Sequence, residues 1–131
     1  MRISYILLAL AVSLAACGAD DPASVDLTAE WQGSYTHPTF PGTLTLNLVS
    51  TDATLSGTFS LRYAIPGGGS QGDSGTLTGT RPSPNSVAFT LDAGTFTWSF
   101  VGQLTNANLM QGTWESTSSA GLNGLFEVER L

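Results

Sequence analysis

The stretch TLSGTFSLRYA, Thr54 to Ala64, alternates strictly. Leu55, Gly57, Phe59, Leu61 and Tyr63 fall on one side; Thr54, Ser56, Thr58, Ser60 and Arg62 fall on the other. A period of two is the signature of a strand with one face buried and one in water. The glycine is the odd element, because inside a strand it forfeits packing and costs about 0.5–1 kcal/mol relative to alanine. It recurs, however. The pattern apolar–x–Gly–Ser/Thr–large also occurs in WQGSY from Trp31, LTGTR from Leu77 and MQGTW from Met110.

Working outward, seven more runs alternate in the same way: 29–36, 43–50, 74–81, 86–92, 95–105, 109–117 and 124–131. Clusters rich in Gly, Pro, Asn and Ser separate them, and no helical period appears after Thr28. Eight strands with short connections predict an all-β fold, a single eight-stranded antiparallel up-and-down barrel over residues 29–131. Closure removes the free edges that an open meander would expose to aggregation. The segment IPGGGSQGD, Ile65 to Asp73, reads as the longest loop. Within it and beyond, GDSG (Gly72 to Gly75) matches four residues of the nucleophile segment of trypsin-like proteases, but the chain is too short for that double barrel. It reads as a glycine turn.

The glycines then have a reason. Gly33, Gly57, Gly79, Gly102 and Gly112 each share a face with large flanking residues, so they point inward. A small barrel bends its strands sharply and cannot hold a large side chain at every inward position, and glycine relieves both constraints. Two pairs, Leu109-Met110 and Leu125-Phe126, interrupt the alternation and predict either a β-bulge or a residue covering a barrel end.

Trp31, Tyr35, Phe59, Phe89, Phe96, Trp98, Phe100 and Trp114 all project to the inferred interior. A packed core is the stronger reading, since eight-stranded barrels nearly fill themselves. The other is an apolar ligand cavity lined by Trp31, Tyr35, Trp98, Phe100 and Trp114, with Tyr63, Arg62 or Arg81 at its mouth. Arg81, in the large position of LTGTR, is either a strand end in solvent or an inward cation awaiting an anionic group.

The N-terminus carries an address. Arg2 precedes the apolar run Ile3 to Leu14, too short to span a bilayer, which ends in Leu14-Ala15-Ala16-Cys17. The order resembles the lipobox signal peptide of bacterial lipoproteins; an ordinary secretory signal is the alternative. The resemblance implies cleavage after residue 16, acylation of Cys17, and anchoring in a bilayer of the cell envelope by several acyl chains. Gly18 rather than aspartate follows Cys17, which by the enterobacterial sorting rule favours the outer membrane over the inner. Cys17 is the single cysteine, so no internal disulfide forms. Residues 17–28 read as a flexible tether.

Beyond the signal, Arg62, Arg81 and Arg130 oppose ten carboxylates and there is no lysine. Such a surface repels nucleic acid and anionic headgroups. His37 is the single histidine, in a proline-flanked turn without ligand-type neighbours, so neither a metal nor a cofactor is expected. The hydroxyls lack a base, and Glu115, Glu127 and Glu129 fall on outer faces, so no catalytic residues are assigned.

The strand pattern is similar to that of the calycins: lipocalins, fatty-acid-binding proteins and avidins. Lipocalins place a Trp near a Gly on the first strand and an Arg near the last that packs across it. Trp31 and Arg130 match those places, although Trp31 precedes Gly33 and the lipocalin Gly-x-Trp order is absent. The resemblance implies a barrel that binds a small hydrophobic or amphipathic ligand. Two other classes stand beside it: a barrel that binds protein through its loops, such as an inhibitor of an envelope or secreted hydrolase, and a structural lipoprotein without ligand. The small lipoprotein inhibitors of lysozymes carry a disulfide and a lysine that are missing here.

Overall fold

The computed structural model describes residues 25–119 and 121–131; the signal segment and Cys17 lie outside them. Eight strands follow one another: β1 (Ala29–Tyr35), β2 (Gly42–Thr51), β3 (Thr54–Ala64), β4 (Ser70–Ser83), β5 (Ser86–Asp92), β6 (Thr97–Asn106), β7 (Leu109–Ser116) and β8 (Asn123–Arg130). Each pairs with the next, antiparallel, and β1 closes on β8, giving an up-and-down barrel. No helix occurs among the described residues.

The alternation in the sequence becomes the barrel wall. Leu44, Leu46, Leu48, Leu55, Phe59, Leu77, Val87, Phe89, Leu91, Met110, Phe126 and Val128 are buried, and their neighbours in sequence face outward. The two irregular pairs resolve differently. Met110 points inward by plain alternation with Gly112 and Trp114, opposite Leu104, and half-buried Leu109 follows a register shift that skips Thr105 of β6, a bulge in the facing strand. Leu125, in contrast, simply stands on the outer face, 59% exposed, while Phe126 fills the core.

The two ends differ. At one, two-residue turns (52–53, 84–85, 107–108) join the strands; at the other, the connections are longer (36–41, 65–69, 93–96, 117–122). The short-turn end is plugged. Residues 25–28, expected to be the end of the tether, instead pack onto the barrel: Leu27 is fully buried, and its carbonyl accepts the Trp31 indole N–H at 3.0 Å. Two arginines strap this segment down. Arg81 donates to the carbonyls of Val25 and Pro84, each at 2.7 Å. Arg130, the cross-strand partner of Trp31, lies 4.8 Å above its ring and donates to the carbonyls of Asp26 and Ala107.

β4 begins four residues earlier than the sequence suggested, so GDSG belongs to a strand and the loop shrinks to 65–69. The upper half of β3 needs a partner for its backbone, and Ser70 to Ser74 supply it, with Tyr63 opposite Gln71 and Leu61 opposite Asp73. Pairing of β4 with β5 starts only at Thr76. The β3–β4 hairpin therefore rises above its β5 neighbour as an overhang at the long-loop end.

The inward glycines serve the bend more than the filling. At Gly33, Gly57, Gly79 and Gly112 a Cβ would overlap a backbone carbonyl of the adjoining strand, and Gly57 also has φ +141°. At Gly102 the nearest atom is instead the Phe126 ring, which a Cβ would meet at 2.8 Å.

Candidate functional site

The long-loop end is open, and a cavity of about 240 Å³ enters the barrel there. Up-and-down topology decides which residues reach it: the C-terminal halves of β1, β3 and β7 and the N-terminal halves of β2, β4 and β6. Leu44, Leu61 and Phe100 line its deep part, Trp98, Trp114, Tyr35 and Tyr63 its walls, and His37, Phe40, Asp73, Phe96, Ser116, Ser119 and Leu122 complete it. The rings brace one another. Trp98 meets Phe59 edge-on at 6.0 Å and stacks on Phe96 at 6.2 Å; Tyr63 leans on Phe40 at 5.3 Å; Trp114 contacts Tyr35 edge-on at 6.4 Å. Such T-shaped and offset contacts fix ring orientation beyond simple burial.

The first connection supplies one side of the mouth. Thr36 anchors it, its carbonyl accepting the Trp114 indole N–H at 2.9 Å and its hydroxyl oxygen accepting the Leu125 amide at 2.8 Å. The chain then turns at His37, whose Nδ1 accepts the amides of Thr39 and Phe40 at 3.0 and 2.9 Å. That places the imidazole flat on Trp114, centroids 5.5 Å apart. His37 is therefore a wall of the site and not the solvated turn residue expected.

Protonation states follow from these surroundings. Burial, then the neighbouring Tyr63 and the Asp73 carboxylate, push the Tyr35 phenol up to about 12, so it stays neutral. Burial holds the His37 imidazole below its usual value, and a proton on Nδ1 would also cost both hydrogen bonds that it accepts from the Thr39 and Phe40 amides. The unfolded chain takes up that proton near pH 6.5. Stability from this group is thus present above about pH 6.5 and lost as pH falls through the folded pKa. The urea midpoint is expected to drop between pH 7.5 and 5 in the native protein and to flatten over that range in His37→Gln. An unchanged slope in the variant would assign the effect to other groups.

Of the residues expected to bind ligand, Tyr35, Tyr63, Trp98, Phe100 and Trp114 meet at this cavity. Three do not. Trp31 is sealed into the plugged end, and Arg81 is at that end too, bonded to backbone carbonyls. Arg62 faces outward, its guanidinium donating to the Ser70 hydroxyl at 3.1 Å. Phe96, expected inside, stands at the rim, 46% exposed, because β6 starts at Thr97, two residues later than expected. The sequence reading did not assign Asp73, His37 or Phe40 to the site. Asp73 was legible: counting back from Leu77 through Gly75 by twos puts it on the inner face. The loop residues follow no period and carry no such signal. No group of three or more metal-ligating side chains occurs among the described residues.

No protein-family model matches the chain, and no curated protein matches it. Among solved structures, a redesigned β-barrel is similar, with a TM-score of 0.59 and 16% identity over 84% of this chain and 95% of that chain. At that identity the likeness is one of fold alone, and the fold it supports is the eight-stranded antiparallel barrel.

Proposed function

We propose that this chain is a lipid-anchored protein of the bacterial cell envelope, at the outer membrane, whose barrel binds a small hydrophobic or amphipathic molecule and catalyses no reaction. The observation that carries the binding reading is the aromatic cavity at the open end. An apolar cavity of about 150 Å³ takes benzene, so 240 Å³ suits a ligand of about two fused rings. The second reading, a barrel that binds protein through its loops, loses part of its support because the loop expected over 65–73 shortens to 65–69.

Anchoring rests on the lipobox-like Leu14-Ala15-Ala16-Cys17. The described chain enters the barrel at its plugged end, where Val25 is held by Arg81. Seven residues lie between Cys17 and Val25, and the eight Cα-to-Cα steps reach at most about 28 Å. A lipid on Cys17 would thus suspend the barrel by its closed end and leave the mouth facing away from the bilayer. Cys17→Ser is expected to abolish incorporation of a labelled fatty acid and release the protein from the membrane fraction. An unlabelled native protein would remove the anchor.

Calorimetric titration with 2-naphthylmethanol tests the binding. At about 0.5 kcal/mol per non-hydrogen atom, a dissociation constant on the order of 10–100 µM is expected. Leu61→Trp, which fills the cavity from a buried position in its deep part, is expected to weaken binding at least about tenfold without lowering the melting temperature. Equal binding by that variant would place the ligand elsewhere.

A further inference from the structure

The polar inventory of the cavity is one-sided. Asp73 is half-buried on the inner face of the β3–β4 overhang, opposite Leu61, and lines the cavity. No arginine lines it among the described residues, and the chain contains no lysine. The described arginines are engaged elsewhere: Arg81 and Arg130 on backbone carbonyls at the plugged end, and Arg62 on the outer face. His37 offers no positive charge in its neutral form.

We propose that the ligand of the open-end cavity is a cation: a small aromatic or branched amine, or a quaternary ammonium, whose apolar body enters the barrel while its charge lies between Asp73 and the rings of Tyr63, Phe40 and Trp98. The inference rests on the binding reading above and specifies the ligand's charge. A partly desolvated carboxylate gains most from a counter-charge brought by the guest, and ring faces attract an ammonium, more strongly as water is excluded. Tyr35 and Tyr63 line the same cavity, and their hydroxyl oxygens can accept from an ammonium there. A fatty acid or other carboxylate would instead set a second negative charge against Asp73 with no cation to offset it. The net charge of −6 raises the local concentration of cations in the same sense.

Three isosteric probes separate the charge from the apolar body: 2-naphthylmethylammonium, 2-naphthylmethanol and 2-naphthoate, titrated by calorimetry at pH 7.5 into the native protein and Asp73→Asn. The expected order is ammonium over alcohol by about tenfold, with the carboxylate weakest. Asp73→Asn is expected to bring the ammonium down to the alcohol, with a much smaller change for the alcohol than for the ammonium, and an unchanged circular dichroism spectrum reports that the variant is folded. Alcohol binding as tight as ammonium in the native protein overturns the inference alone, as does a preference that survives in Asp73→Asn. Absence of binding by all three removes the binding reading, and the inference with it.

Discussion

Replacing Gly57 by valine is expected to destabilise the barrel by at least about 3 kcal/mol, a fall of some 12–20 °C in melting temperature for a domain of this size. Two effects combine. Gly57 has φ +141°, where side-chain-bearing residues are strained, and a Cβ there would overlap the Asn47 carbonyl oxygen of β2. That oxygen belongs to a paired strand, so relief means moving backbone rather than turning a side chain. Ser60→Val, three residues along the same strand and on the exposed face, is the control and is expected to lie within about 0.5 kcal/mol of the native protein. Chemical denaturation of both variants checks the pair. If Gly57→Val melted with Ser60→Val, close strand approach would not be the reason for the glycine.

Removing the Trp31 ring is expected to cost about as much. Trp31 is fully buried at the plugged end, donates to the Leu27 carbonyl and supports the Arg130 guanidinium. Trp31→Ala leaves a cavity and an unpaired carbonyl and is expected to cost about 3–5 kcal/mol. Trp31→Phe keeps most of the packing and the ring face but loses the indole donor, so about 1–2 kcal/mol is expected. This gradation in urea midpoints separates packing from hydrogen bonding. Equal losses in the two variants would mean that the hydrogen bond alone holds the plug. The same experiment bears on the segment entering the barrel, since Asp26 and Val25 are held by Arg130 and Arg81.

The barrel was legible because alternation specifies a face and short turns specify neighbours. Leu55, Phe59 and Leu61 needed only a period of two to be placed inward, and Trp31 with Arg130 needed only antiparallel closure to be brought together. Much of the site was legible in the same terms, but it took a second coordinate, the end of the barrel. A meander sends the start of β1 and the finish of β4 to one end, which puts Trp31 and Arg81 together and away from Tyr63 and Trp98. Parity likewise turns Arg62 outward from its neighbours Leu61 and Tyr63. Glycine obscured the start of β4, since Gly67 to Gly69 read as a loop that ran on through Gly72; what decided the matter was the unpaired backbone of β3, a tertiary demand. His37 and Phe40 owe their places to two hydrogen bonds donated by backbone amides to one imidazole nitrogen, a local geometry without a pattern in the composition.

Binding as proposed requires a molecule to enter the barrel through its open end. Solution NMR of the protein with bound 2-naphthylmethanol tests this most directly. Intermolecular NOEs are expected from the probe to the methyl groups of Leu44 and Leu61 and to ring protons of Trp98 and Trp114, with none to Trp31 at the plugged end. Contacts confined to the outer-face residues Val101 and Leu125, or no contact to the cavity at saturating probe, would contradict it.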